Sequence, residues 1–411
     1  MNKLLVTIIF LLIFAQTVFA QEITMNEAIT FGLLNNPEIK ASKAKLNLSD
    51  ADIKEAGLFS NPKILLDAAF ADKSYKGGII QTVELGGKRK KRVKIAKSNK
   101  EIIAQEIAVD IINLRSEIRA AYIELYTARE RLKTSRDILM LTEHLINIAR
   151  KREQAGQISN LEVLQAEIAY ITAKNNIQLE LLKEIQALNN FNNKLGYAFQ
   201  DTVILKTPSA EDDFKNIMNN SLENYIEYAE KNNPEIKRLE KCVEKTQNLE
   251  RLARSSAIPN LSVAVGPNIL VTEEEKTTTN LNVFTVLEIE IPVFNHGQAA
   301  VMQAKAQRNI FERQIDAEKN KINLAVKNAF AEVTQNKKLI DTYETELLPK
   351  AKIVLDKSDL SFKEGKSDIL LPLTSQAAYI ELIKSYTNTL ESYYKSLNNL
   401  EKAIGVQDEA I

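Results

Sequence analysis

The sequence predicts a mainly α-helical fold with a small β part, built as a duplicated unit of helix, strand hairpin, very long helix and return helix. Three observations lead there. Asn36-Pro37-Glu38-Ile39-Lys40 recurs as Asn233-Pro234-Glu235-Ile236-Lys237, and Gly156 and Gly196 recur as Gly365 and Gly405, which marks a tandem repeat. From Lys88 to Glu153 there is neither Pro nor Gly, while Ile103, Ile107, Ile111, Leu114, Ile118 and Leu125 recur at helical spacing. Short stretches of alternating hydrophobicity interrupt the helices at 61–85 and 261–291.

Met1 to Ala20 carries one cation, Lys3, an apolar run and Val18-Phe19-Ala20, the pattern of a secretory signal peptide at 1–20. Beyond it no stretch approaches the roughly 20 apolar residues of a transmembrane helix, so a membrane crossing has to use strands. Without the signal peptide, 53 basic residues face 54 acidic ones, a balance that points to no nucleic-acid partner. The single cysteine, Cys242, excludes an internal disulfide and a lipid-anchored Cys at the mature N-terminus.

The first repeat is predicted over 21–196. Thr24 and Glu27 form a capping box, and Asn36-Pro37 interrupts the helix that follows. Ile64, Leu66, Ala68 and Phe70 make the apolar face of a strand, Gly77-Gly78 is read as its turn, and Ile79 to Leu85 returns. A helix over 88–155 measures on the order of 100 Å, too long for a compact domain and suited to a coiled coil or an α-barrel. Gly156 ends it, and Ser159 with Glu162 reads as a capping box for a helix over 160–195. A linker over 197–220 leads to the second repeat, 221–405, with strands at 261–291, a helix over 298–363 kinked at Pro349, a tip at Gly365, a helix over 369–404 and a short tail at 406–411. The repeat offset grows from 197 to 209 residues, and most of this insertion is assigned to a loop over Pro267–Asn280.

Four strands cannot close a barrel, because their edges would stand unpaired in lipid; several copies are required, and eight or twelve strands are the usual small solutions.

This layout, with Glu84-Leu85-Gly86-Gly87-Lys88-Arg89 and Pro292-Val293-Phe294-Asn295 before Gly297-Gln298, resembles the TolC family of outer-membrane efflux channels, in particular its CzcC- and CusC-like heavy-metal branch. The resemblance implies a homotrimer in which twelve strands form a transmembrane β-barrel in outer-membrane lipid and twelve helices form a periplasmic tunnel. It implies docking through a periplasmic adaptor (membrane fusion) protein to an inner-membrane resistance-nodulation-division (RND) transporter. It also implies a passive duct for heavy-metal cations in a Gram-negative outer membrane, with no cofactor and no catalysis. Glu84, Gly86, Gly87, Lys88, Pro292, Phe294 and Gly297 would mark the barrel-to-helix junction. Gly156 and Gly365 would lie at the periplasmic aperture and adaptor contact. Leu371 and Thr374 stand where that family often carries acids, which leaves Glu162 and Asp368 as the acidic residues of the aperture, where three copies would favour cations.

Other readings remain. Drug or small-molecule efflux and type I secretion fit the same layout, and a periplasmic coiled-coil adaptor is a rival, although it would carry one helical hairpin between Gly-rich β-domains. Glu162 and Asp368 also have plain roles as a capping-box partner and a helix-dipole partner. The run Lys88-Arg89-Lys90-Lys91-Arg92 lacks the Ser or Thr of a phosphate loop and reads either as an anchor near lipid headgroups or as a solvated helical turn. His144 and His296 have no ligand partner at metal spacing.

Overall fold

The computed structural model describes residues 22–70, 74–196, 203–210, 214, 221–274 and 276–406. The predicted signal peptide, much of the predicted linker and the tail beyond Val406 lie outside the described residues. The first half contains β1 (Glu22–Ile23), α1 (Met25–Asn35), α2 (Pro37–Ala56), β2 (Lys63–Ala69), β3 (Ser74–Val83), α3 (Lys88–Gln154) and α4 (Asn160–Leu195). After β4 (Ile204–Leu205) the plan repeats as α5 (Leu222–Asn232), α6 (Pro234–Arg254), β5 (Leu261–Glu274), β6 (Lys276–Ile289), α7 (Gln298–Thr342), α8 (Leu348–Lys363) and α9 (Leu370–Ile404). These elements form two units, one from the described parts of Met1–Lys40, Asp110–Asn233 and Ile322–Ile411, the other from Ala41–Val109 and Pro234–Lys321.

The first unit is mainly helical, and each of its repeats is closed on itself by the motif that betrays the duplication in the sequence. Thr24 Oγ1 accepts from the Glu27 amide at 3.2 Å and the Glu27 carboxylate accepts from the Thr24 amide at 2.9 Å, so α1 opens on the expected capping box. Proline forces the residue before it out of the α region. Asn36 and Asn233 accordingly sit at φ −59°, with ψ 126° and 125°. Asn36 Nδ2 donates to the carbonyl of Lys194 at 3.0 Å, and Asn233 Nδ2 to that of Ala403 at 3.3 Å. Those carbonyls belong to the last turns of α4 and α9, which end at left-handed Gly196 and Gly405. A Cβ on Gly196 would stand 3.0 Å from Pro37 Cδ. The repeated Asn-Pro and the repeated Gly are two sides of one contact.

Ile118, Tyr122, Ile123 and Leu125 of α3 and Phe191 and Leu195 of α4 are all fully buried, and the Tyr122 ring meets Phe191 edge-on with centroids 6.0 Å apart. The Tyr122 hydroxyl donates to the carbonyls of Ile23 and Lys206, both at 2.7 Å, and pins the parallel pair β1 and β4. The predicted linker, where described, is therefore strapped down: Tyr394 donates to the Pro208 carbonyl at 2.6 Å, and Arg119 stacks on buried Phe214. The kink expected at Pro349 takes another form. Tyr343–Leu347 is a π-helical turn, and Pro349 is the second residue of α8, so the wider turn absorbs the donor that proline lacks. Tyr386 on α9 fixes that turn by donating to Glu344 Oε1 at 2.7 Å.

The second unit carries an antiparallel sheet in the order β2-β3-β5-β6. Its register gathers Ile64, Leu66, Ile79, Val263, Val283 and Leu287 on one face. The opposite face carries Lys76 paired with Asp67, Thr82 against Ser262 at 3.1 Å, and Ser74 donating to Asn268 at 3.0 Å. Two expectations fail here. Gly77-Gly78 is not a turn but lies inside β3, paired with Leu66 and Leu65. Pro267–Asn280 is not a loop, since β5 and β6 run 14 residues each and pair through it. A close approach explains the first. A Cβ on Gly266 would lie 2.0 Å from the Gly77 carbonyl oxygen and 2.5 Å from Gly78 Cα. Glycine inside a strand marks such a crossing, and Pro267, with no N–H, falls where the β3–β5 ladder skips two rungs between Asn268 and Val265. The Phe284 ring lies over Gly78 on the same side.

Gly266→Ala is expected to destabilise this sheet by about 1–3 kcal/mol, the usual cost of overpacking. The check is the temperature at which the folded, membrane-extracted protein loses its strand signal; an unchanged transition would mean the crossing tolerates a methyl group.

Candidate functional site

Two places gather the residues singled out in the sequence: the helix tips of the first unit and the strand-to-helix junction of the second.

At the tips, α3 and α8 end in the same way. Gly156 has φ 70° and Gly365 has φ 76°, both left-handed. The amide of Gln157 donates to the Arg152 carbonyl at 2.8 Å and that of Lys366 to the Ser361 carbonyl at 2.9 Å, closing the six-residue ring of a Schellman cap in each repeat. No atom lies within 4 Å of a Cβ built on Gly156, so backbone conformation, not space, demands glycine there. Beneath the tips Leu145, Ile146, Ala149, Val163 and Ala166 share a core with Phe362 and Ile369, joining the first helical hairpin to the second.

Arg152 adds a polar clasp to that core. Its Nη1 donates to the carbonyls of Phe362 at 2.8 Å and Ser367 at 3.3 Å, and its guanidinium lies 4.6 Å from the centroid of the Phe362 ring. Sequence reasoning missed this residue. Its signal is weak, a cation in the last turn of α3 where the repeat has Ser361.

The two acidic candidates behave differently. Asp368 is exposed, and its Oδ1 accepts from the Leu371 amide at 3.4 Å, a cap at the start of α9. Glu162 corrects an expectation. Ser159 makes no side-chain cap, and the Glu162 amide bonds instead to the Ser159 carbonyl at 3.1 Å, so the predicted capping box does not form. Glu162 is half-buried, and its Oε2 has no hydrogen-bond partner among the described residues. On α8, burial pushes the Asp359 carboxyl up, partly opposed by the amide of Gln376 donating to it.

At the junction, Glu84 accepts from Arg92 Nη1 at 2.5 Å. Gly86 and Gly87 have φ 70° and 68°, and Lys88 Nζ donates to the Ile258 carbonyl and to Asn260 Oδ1, both at 2.7 Å. Pro292 is half-buried, whereas Phe294 is 91 % exposed. The Phe294 carbonyl accepts from Gln298 Nε2 at 2.9 Å, and Gly297 packs so closely that a Cβ would stand 2.4 Å from the Ala253 carbonyl oxygen. Both strand-to-helix turns therefore lock onto the last turn of α6 and the segment that follows it. Among the described residues no cluster of three or more metal-ligating groups occurs.

The chain matches the outer membrane efflux protein family over residues 32–196 and 225–406. It is 22% identical over 399 residues to the cobalt-zinc-cadmium resistance protein CzcC of Cupriavidus metallidurans, covering 94% of this chain and 91% of CzcC. It is 21% identical over 375 residues to the pyoverdine export outer membrane protein OpmQ of Pseudomonas aeruginosa, covering 84% of this chain and 77% of OpmQ. The fold superposes on crystal structures of CusC, studied for transmembrane channel formation, with a TM-score of 0.78 at 15% identity over 94% of this chain and 93% of that one. Matched in both of its repeats, the chain belongs to the outer membrane efflux protein family, passive channels of the Gram-negative outer membrane that extend into the periplasm.

Proposed function

We propose that three copies of this chain share one twelve-stranded barrel and one helical tunnel, forming the outer-membrane duct of a tripartite efflux assembly whose cargo is heavy-metal cations. The observation that carries the trimer is the open sheet: β2 and β6 each have one unpaired edge, while β5 and β6, at 14 residues, exceed the roughly 9–11 a strand needs to span the hydrocarbon. Edges in lipid cost several kcal/mol per unsatisfied group, and pairing β6 of one copy with β2 of the next removes them.

The helices support the same reading. Helix α4 uses one stripe, including Val163, Ala173 and Phe191, for its own core, yet Leu161, Leu164, Ile168, Ile171, Leu182 and Ile185 remain exposed at heptad spacing. A second apolar stripe at a and d positions calls for a helix from another copy. The tips then ring the periplasmic opening, where Asp368 contributes negative charge and the exposed glycine turns offer a surface to an adaptor leading to an inner-membrane RND pump. Similarity to CzcC supports metal cargo. Similarity to OpmQ supports a second reading, export of small organic molecules, on the same duct.

Ile168→Asp is expected to prevent stable trimers, since it buries a charge at the proposed helix contact in each copy. Cross-linked, heat-resistant trimers in outer-membrane fractions should disappear in the variant; wild-type protein found as isolated chains would refute the trimer. In planar bilayers Asp368→Asn should lower the preference for cations over anions about twofold or more, and indistinguishable currents would remove Asp368 from the opening. Deleting the protein should lower tolerance to zinc, cobalt or cadmium while leaving tolerance to organic toxins intact. The reverse pattern would favour the second reading.

A further inference from the structure

The start of α3 is electrostatically odd. Seven of the ten residues from Lys88 to Lys97 are lysine or arginine, and the first turn holds no acid, although the positive pole of a helix favours anions there. Little of this charge is cancelled internally. Arg92 meets Glu84, but Lys88, Arg89 and Lys91 donate to the carbonyls of Ile258, Gly57 and Gly86, contacts that hold the turn without neutralising it. Lys90, Lys94 and Lys97 are exposed, and none pairs with a carboxylate among the described residues. Their spacing of four and three puts them on one helical face.

The cations begin where the apolar sheet ends. Ile289 continues the lipid-facing side of β6, and Ile291, Val293 and Phe294 beyond it are 73 %, 67 % and 91 % exposed. Between α2 and β2 Phe59 is 70 % exposed, and Arg89 stacks 4.1 Å above its ring, so one residue of the cationic run rests on an exposed aromatic. Apolar strand, exposed aromatics and then unpaired lysines follow the order in which a bilayer offers hydrocarbon, interface and phosphate.

We propose that Lys90, Lys94 and Lys97 bind the phosphate groups of glycerophospholipids in the periplasmic leaflet, with Phe59 and Phe294 seated at the acyl boundary, so that the strand-to-helix junction is a headgroup-binding collar that sets the depth of the sheet in the membrane. The collar uses only unit-two residues and the family's outer-membrane location, and it is independent of cargo and of the gate.

The test uses the full-length protein purified in a non-ionic detergent and titrated with fluorescent phosphatidylglycerol in mixed micelles. Each lysine near an anionic surface is worth roughly fivefold in partitioning, so K90Q/K94Q/K97Q should weaken binding at least tenfold. The matching arginine triple variant should retain it, and a control with Lys133, Lys174 and Lys337 changed to Gln should bind like the parent. Equal binding by the Gln triple variant and the parent would overturn the proposal. So would lipid A competing better than phosphatidylglycerol, which would assign the lysines to outer-leaflet phosphates. A Gln triple variant that keeps lipid binding but shifts ion selectivity in planar bilayers would place them in the duct and also refute the collar.

Discussion

Every backbone N–H and C=O that enters hydrocarbon needs a partner, and a sheet of four strands with two free edges cannot supply them all. That accounting governs the rest of the molecule. Beside it stand two strands of 14 residues, β5 and β6, and exposed apolar side chains that continue past the end of β6 at Ile291 and Val293. Helix α4, with more apolar stripes than its own chain can cover, repeats the same incompleteness in a different element.

Each repeat is closed on itself by the same reciprocal contact, while a shared core at the tips joins one repeat to the other. In each repeat a proline bends the chain, the asparagine before it reaches the end of a return helix, and a glycine lets that helix end close by. Such a contact needs two motifs 158 residues apart in one repeat and 170 in the other to stay together, so their joint recurrence is informative even in a single sequence. The tips follow the same logic on a smaller scale, with two equivalent Schellman caps over one shared core.

Helix periodicity, the capping box at Thr24 and the tip glycines were legible because each depends on local chemistry. The failures arose where a distant strand decides the outcome. Gly77-Gly78 has the composition of a turn, but its reason is the approach of Gly266, nearly 190 residues away. Pro267 looks like a strand breaker, yet it sits at a place where no ladder donor is used. At Ser159 the capping-box spacing is complete, but the backbone carbonyl took the amide that the hydroxyl was expected to accept. Arg152 was invisible because its partners are main-chain carbonyls of the other repeat, which leave no trace in composition.

The two tips of one chain are alike in backbone and unlike in chemistry: Asp368 caps its helix where Ser159 leaves its own uncapped, and only the first tip sends an arginine across. Gene duplication supplied a pseudo-symmetric pair, and later divergence broke the equivalence. Any protein that grips these ends with one repeating surface meets alternating, non-identical seats, and must either discriminate between them or bind through the backbone features they share.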